Sequence, residues 1–158
     1  MTGVFRRKIA ARSGGKLRCL LGELTGALAA GSTNGGEQEQ LPQAYDLALS
    51  HMTFHHIDDI VGTLRMLREL LKPGGRVAVF DLLKEPGSDK FHKPDHGGSV
   101  FHVGGFAPEK MTQLLQDAGF VGAEAQAVTD FQKESYQHPG QLNTFRLLMA
   151  TAAAPEGT

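Results

Sequence analysis

The feature that most constrains this chain is a helix halted by a turn and followed at once by a strand. Ile60, Leu64, Leu67 and Leu71 recur at i, i+4, i+7 and i+11, a spacing that lines one face of a helix. Asp58 and Asp59 stand where a helix beginning near Ile60 needs a cap. Lys72 suits the negative end of that helix, and Pro73-Gly74-Gly75 ends it. The next run, Arg76-Val77-Ala78-Val79-Phe80-Asp81-Leu82-Leu83, reads as a buried strand. Upstream, Tyr45-Asp46-Leu47-Ala48-Leu49-Ser50 reads as a second one.

The same punctuation continues downstream. Pro108 fits the first turn of a helix, with Glu109 at its positive end. Met111, Leu114, Leu115 and Ala118 share one face, and Gly119 ends the helix. Residues 121–128 and 143–151 are strand candidates, and residues 152–158 read as a disordered tail. Between the strand at 76–83 and the helix at Pro108 lies a loop rich in His, Lys and Gly. A loop of that length in a compact domain is a binding loop, a lid or disorder. Residues 26–43, rich in Gly, Ala, Ser, Asn and Gln, read as a flexible loop.

Strands that alternate with helices predict an α/β domain with a mostly parallel sheet covered on both faces. Ligands of such sheets bind outside the carboxyl ends of the strands. Those ends here carry Glu23, then Ser50-His51-Met52, then Asp81 with the loop after it.

Composition excludes several classes. A chain of 158 residues with 41% hydrophobic residues is one domain with a real core, neither disordered nor fibrous. Lys plus Arg (16) nearly balances Asp plus Glu (17), so no overall charge draws the chain to nucleic acid or to an anionic membrane. The single cysteine, Cys19, forms no intrachain disulfide. No apolar run approaches the ~18 residues of a membrane span. A cytoplasmic location is expected. The Arg-rich, acid-free start (Arg6, Arg7, Lys8, Arg12, Lys16, Arg18) admits a transit peptide or a surface helix followed by a strand. The second is preferred, because the apolar pattern runs into the next element without a break.

The order of these segments resembles one family. The run 45–50, then Phe54-His55-His56-Ile57-Asp58-Asp59, then Leu67-Arg68-Glu69-Leu70-Leu71-Lys72-Pro73-Gly74-Gly75-Arg76-Val77, is similar to the second half of a class I S-adenosylmethionine-dependent methyltransferase. The small-molecule, ubiquinone-biosynthesis-like branch is the nearest in kind. Gly105-Phe106-Ala107-Pro108-Glu109 and Leu114-Leu115-Gln116-Asp117-Ala118-Gly119-Phe120 continue the resemblance, which covers roughly residues 4–150. It implies a Rossmann-like sheet with flanking helices, a single domain over residues 1–151, and S-adenosylmethionine as cofactor.

The chain departs from the family at the Gly-rich cofactor loop and the acidic residue after the second strand, neither of which it carries. By resemblance it corresponds to the carboxyl-terminal two-thirds of the domain, lacking the first two family strands. Cofactor affinity is therefore expected to collapse by orders of magnitude, at ~1–1.5 kcal/mol per lost hydrogen bond, and activity with it. At the open edge beside residues 45–50 the expectation is that either the strand at 17–21 shifts across to pair there, or the first ~40 residues pack loosely, or a second chain covers the edge. The alternative function is a non-catalytic remnant or regulatory partner of a full-length methyltransferase, forming a homo- or heterodimer through that edge.

The resemblance assigns roles residue by residue. Glu23 and Leu24 stand where the family contacts adenine, and Ser50, His51 and Met52 where it faces the sulfonium. His55 and His56 match the family-like pair. Imidazole, with an ordinary pKa of about 6.5, suits proton removal from a hydroxyl or thiol acceptor. Asp81 is read as orienting the acceptor or a base, or equally as bonding to loop backbone. Lys84, His102 and Phe106 are expected on the side of the small-molecule acceptor. His92 and His96 have a helical metal-ligand spacing, but Pro94 and Gly97-Gly98 argue against a helix there, so no metal ligand is assigned.

Overall fold

A computed structural model describes residues 45–94 and 98–156. The expected elements before residue 45, Glu23 and Leu24 among them, lie outside the described residues, as do Asp95 and His96.

Four strands and two helices follow in order: β1 (Tyr45–His51), α1 (Ile60–Leu70), β2 (Leu71–Leu82), α2 (Pro108–Asp117), β3 (Val121–Glu134) and β4 (Leu142–Ala153). The strands form one sheet in the order β1-β2-β4-β3. β1 and β2 are parallel, and β4 runs antiparallel to both β2 and β3. The fold class is α/β as expected, but the sheet is mixed. β3 and β4 follow one another closely in sequence, so they form a hairpin, whereas β1 and β2 are joined through α1.

Asp59 caps α1, accepting a 2.8 Å hydrogen bond from the Gly62 N–H. The stripe from the sequence faces inward: Ile60 and Leu64 are buried, Leu67 is partly so, and Leu71 is buried where the strand begins. The strand register jumps from Tyr45↔Leu71 to Leu47↔Arg76, so Pro73-Gly74-Gly75 loops out between them.

α2 opens with Pro108 and ends at Gly119, whose φ of +84° is one that glycine adopts freely. Its last turn is capped by α1. Arg68 Nη1 donates to Ala118 O (2.7 Å), and Arg65 Nη2 donates to Asp117 O (3.1 Å). Two guanidinium groups thus sit at the negative end of the helix.

Strand alternation sorts the sheet faces. Ala48, Val77, Val79, Leu148, Ala150 and Ala152 pack with both helices in one apolar cluster. Among the described residues, both helices cover that one face rather than two. Full burial of a residue such as Leu64 contributes about 1.5–3 kcal/mol. On the other face of β1, Leu47 and Leu49 are exposed.

Two boundaries differ from expectation. β3 continues to Glu134, because the pairing across the hairpin runs on from Asp130↔Arg146 and Phe131↔Phe145 to Glu134↔Leu142. β4 continues to Ala153, and Ala152 and Ala154 are buried, so the expected tail begins later. Gly74 N donates to Ala154 O and Ala154 N donates to Gly75 O, which ties this segment to the turn after α1. No helix among the described residues is long and apolar enough to cross a membrane.

Candidate active site

The polar residues named from sequence meet at the carboxyl ends of β1 and β2. β1 ends at His51, and the chain turns there through Met52, whose φ is +50°. A left-handed conformation costs a residue with a side chain about 1–2 kcal/mol. Met52 N–H donates to Phe80 O at 2.7 Å, which holds the turn against β2. A short 3-10 turn, Phe54–His56, follows. Phe54 enters the core, and this aims His55 across the end of β2.

Asp81 lies on the helix-covered face at that end and is fully buried. Its Oδ1 stands 2.6 Å from His55 Nδ1 and accepts from Leu82 N–H at 2.7 Å. Its Oδ2 accepts from His55 N–H at 3.3 Å. A buried carboxylate needs such donors to offset its lost hydration. The carboxylate only accepts, so the neutral His55 ring carries its proton on Nδ1. That leaves Nε2 with a lone pair, and this atom is buried with no hydrogen-bond partner among the described residues. The arrangement of an oriented imidazole backed by a carboxylate is one that moves protons.

His56 is exposed, and its Nδ1 lies 2.6 Å from Ser99 O. A carbonyl also only accepts, so the same tautomer follows for the neutral ring. The His55 and His56 rings stand 4.1 Å apart between centroids. His92 joins them, at 5.0 Å from His55 and 5.2 Å from His56.

His92 reaches the cluster because its neighbour is anchored. The Phe91 ring meets Phe145 edge-on at 5.2 Å and Phe131 at 6.0 Å. Lys133 Nζ sits 3.9 Å from the Phe91 ring centroid and donates to Phe91 O at 2.7 Å. Partial burial there lowers the pKa of the Lys133 ammonium. The hairpin β3–β4 therefore positions a loop residue some forty positions earlier in the chain.

The second half of the loop closes over the site. Phe101 N–H and His102 N–H both donate to His55 O at 3.1 Å. His102 Nε2 stands 3.1 Å from Ile57 O, and its ring lies 5.0 Å from Phe106. Phe106 bridges to Leu83 and is buried in the core, a position that spends its side chain on packing. Gly105 has a φ of +77°, and a Cβ there would stand 2.0 Å from Leu82 O. Glycine alone permits this approach.

Of the residues singled out from sequence, His55, His56 and Asp81 converge. Ser50, His51 and Met52 form the adjoining strand end. Ser50 and Met52 are half-buried and His51 is exposed, its ring 6.4 Å from that of Phe80. Lys84 is exposed at the start of the loop, and His102 is half-buried at its end. His92 was visible in the sequence as a loop histidine, but nothing local linked it to His55 and His56. The signal was Phe91 beside it, a large apolar residue in the polar first half of the loop.

A model described as a methyltransferase domain matches residues 22–77. An uncharacterized methyltransferase of Schizosaccharomyces pombe (strain 972) is 35% identical over 117 residues, 68% of this chain and 40% of that protein. The chain belongs to the class I S-adenosylmethionine-dependent methyltransferases. It spans 40% of the length of that relative.

Solved methyltransferases share the fold. The S-adenosylmethionine-dependent methyltransferase SibL, in its apo form, superposes with a TM-score of 0.55 at 16% identity, over 95% of this chain and 40% of that one. The 1,6-didemethyltoxoflavin-N1-methyltransferase of Burkholderia thailandensis, bound to 1,6-didemethyltoxoflavin and S-adenosylhomocysteine, gives 0.54 at 19% identity, over 95% of this chain and 56% of that one. In a methyltransferase of this class the carboxyl ends of the strands are the ligand side of the sheet, and here the buried His55–Asp81 pair occupies that side.

Proposed function

We propose that this chain carries the acceptor side of a methyltransferase that uses S-adenosylmethionine to methylate a small molecule bearing an ionisable hydroxyl, thiol or amine. The observation that carries the reading is the buried His55–Asp81 pair, whose unpartnered Nε2 lies at the ligand end of the sheet. The cofactor, when bound, supplies a methyl group activated on a sulfonium. Ser50, His51 and Met52 would hold its methionine end, because they stand at the carboxyl end of β1, the ligand side of such a sheet.

The chain's own residues do the rest. Asp81 fixes the tautomer and the angle of His55. His55 Nε2 takes up the proton that the acceptor sheds. Two of the loop's backbone N–H groups hold the His55 carbonyl, so the ring cannot swing away without opening the loop. Lys84 and His102 flank the entrance and meet the acceptor's polar groups. His56 narrows the same entrance. The protein's contribution to such a transfer is position, exclusion of water and proton management.

Two measurements test this. Calorimetric titration with S-adenosylhomocysteine is expected to give a saturable binding heat. Methyl transfer from labelled S-adenosylmethionine to a panel of small phenols, thiols and amines should give at least one product. His55→Gln should then lower kcat by about 10²–10⁴-fold while leaving S-adenosylhomocysteine binding unchanged. Loss of both together would remove His55 from the role of proton acceptor.

A further inference from the structure

We infer that His55, His56 and His92 form a binding site for one divalent transition-metal ion of the zinc class. One ring nitrogen from each lies within 4.8 Å of the other two. Nδ1 of His55 is committed to Asp81, and Nδ1 of His56 to Ser99 O. The nitrogen left to each is Nε2, with its lone pair outward. His55 Nε2 is buried and unpartnered among the described residues. A lone pair desolvated in this way calls for a proton donor or a cation, and the protein presents it with two further imidazoles.

The outer contacts are those of a metal centre. Ligating histidines donate their second N–H to a carboxylate or a backbone carbonyl, which fixes the ring and raises its basicity. Asp81 does this for His55 and the Ser99 carbonyl for His56. Asp81 is itself pinned by the N–H groups of His55 and Leu82. Its charge sits directly behind the nearest ligand, where it favours a cation. The Phe91 anchor holds the third ring in place from the opposite side.

The donor set narrows the ion. Neutral imidazoles suit zinc and its first-row neighbours, whereas magnesium and calcium prefer oxygen ligands. Three ligands and an open fourth position are the pattern of a reactive rather than a structural zinc site. With Zn–N bonds of about 2.0–2.1 Å, tetrahedral ligands lie roughly 3.3–3.4 Å apart, closer than the outer limit of this trio. Ion binding would close that difference by small shifts of the His56 and His92 rings.

The fourth position would receive the acceptor's oxygen, sulfur or nitrogen; that clause alone rests on the reading given under Proposed function. In the metal-free protein His55 Nε2 is the proton acceptor; with the ion bound it is a ligand instead, and the coordinated acceptor, made more acidic by the cation, would give its proton to solvent water. Binding of the ion itself is independent of methyl transfer.

The test uses the whole chain, stripped of metal and titrated with Zn²⁺ by calorimetry. One ion per chain is expected, with a dissociation constant of about a micromolar or tighter. His92→Ala removes a ligand without touching the Asp81 pair and should weaken binding by at least about 100-fold. Asp81→Asn should weaken it by about 10–100-fold. His138→Ala, at an exposed histidine of the β3–β4 turn, should leave it unchanged. Co²⁺ substitution should give the intense visible absorption of a tetrahedral site, and His92→Ala should abolish it. No saturable Zn²⁺ heat with the unmodified chain overturns the inference, and so does equal affinity in His92→Ala. Titration of the same preparation with S-adenosylhomocysteine, before metal is added, reports on the methyltransferase reading separately.

Discussion

At the amino end of the β1–β2 pair the chain is closed by backbone and apolar groups. Pro73-Gly74-Gly75 turns beneath the sheet, Gly74 and Gly75 exchange hydrogen bonds with Ala154, and Leu71 and Ala152 are buried above. At the carboxyl end the closure is polar and buried. Asp81 gathers one ring nitrogen and two backbone N–H groups, and the carbonyl of His55 gathers two more. The first end would serve any protein with this fold. The second spends burial on charged and titratable groups, which destabilises a protein unless every partner is in place. The unequal construction shows where binding chemistry resides, and it predicts unequal responses to equivalent substitutions.

Glycines give the widest contrast. Gly105→Ala at the carboxyl end places a Cβ 2.0 Å from the Leu82 carbonyl, in a backbone region with a φ of +77°. Overpacking of 1–3 kcal/mol and left-handed strain of 1–2 kcal/mol add to a loss of about 4 kcal/mol. Gly74→Ala at the amino end has a φ of +72°, but its Cβ meets only the far end of the Glu156 side chain. That side chain can swing aside, so a loss of about 1 kcal/mol is expected. Denaturant midpoints of the two variants should differ accordingly, and equal midpoints would break the contrast.

Asp81→Ala comes next. It strands the His55 Nδ1–H and two backbone N–H groups in the interior. Leaving a buried donor unsatisfied costs about 1–3 kcal/mol, and three donors lose their acceptor here, so a loss near ~3 kcal/mol is expected. Asp81→Asn keeps an acceptor and should recover about half of that loss. A loss below 1 kcal/mol in Asp81→Ala would mean that water enters the site freely.

Phe91→Ala probes how the hairpin reaches the site. Loss of ring contacts with Phe145 and Phe131 should cost about 1–2 kcal/mol, since each aromatic pair contributes about 0.5–1.5 kcal/mol. Crosslinking or exchange measurements should find the loop around His92 released while β1 and α1 keep their protection. Protection unchanged around His92 would place its anchor elsewhere.

The two ends also differ in how openly the sequence declares them. The amino end was legible because its signals are local. The i, i+4, i+7 stripe, the Asp59 cap and Pro73-Gly74-Gly75 each act within a few residues, and each appears where it was expected. The pairing of His55 with Asp81 was partly legible, since strand ends attract ligands and both residues stood at strand ends. Orienting a base is one of three readings the sequence allows for Asp81, beside orienting the acceptor and bonding to loop backbone, and only coordinates show that its ring partner is His55. His92 was not legible as a member of the cluster, because its place depends on Phe145 more than fifty residues downstream. Phe106 was expected at the acceptor and is packed in the core, since the bridge to Leu83 turns its side chain inward. The extra length of β3 is not legible because exposed Asp130, Gln132, Lys133 and Glu134 carry no alternating apolar signal, and that of β4 because its closing alanines read as a tail.

The smallest effect sharpens the comparison from the other side. Lys72 and Asp46 form the amino end's own ion pair, at 2.7 Å, shorter than many buried contacts. Distance alone would rank it beside the His55–Asp81 pair at 2.6 Å. Exposure reverses that ranking, because the Asp46 side chain is 84% exposed and that of Lys72 49%. Water screens the charges and both long side chains must be held still, so such pairs contribute about 0–1 kcal/mol. Asp46→Ala should therefore shift stability by about 0.5 kcal/mol or less, and that remnant should fade as salt is raised from 0.05 M to about 1 M. The Asp81→Ala loss should keep most of its size over the same range, because its partners are shielded from solvent ions. A salt-insensitive loss near 3 kcal/mol at Asp46 would show that proximity, not burial, sets the worth of these contacts, and the division between the two ends would lapse.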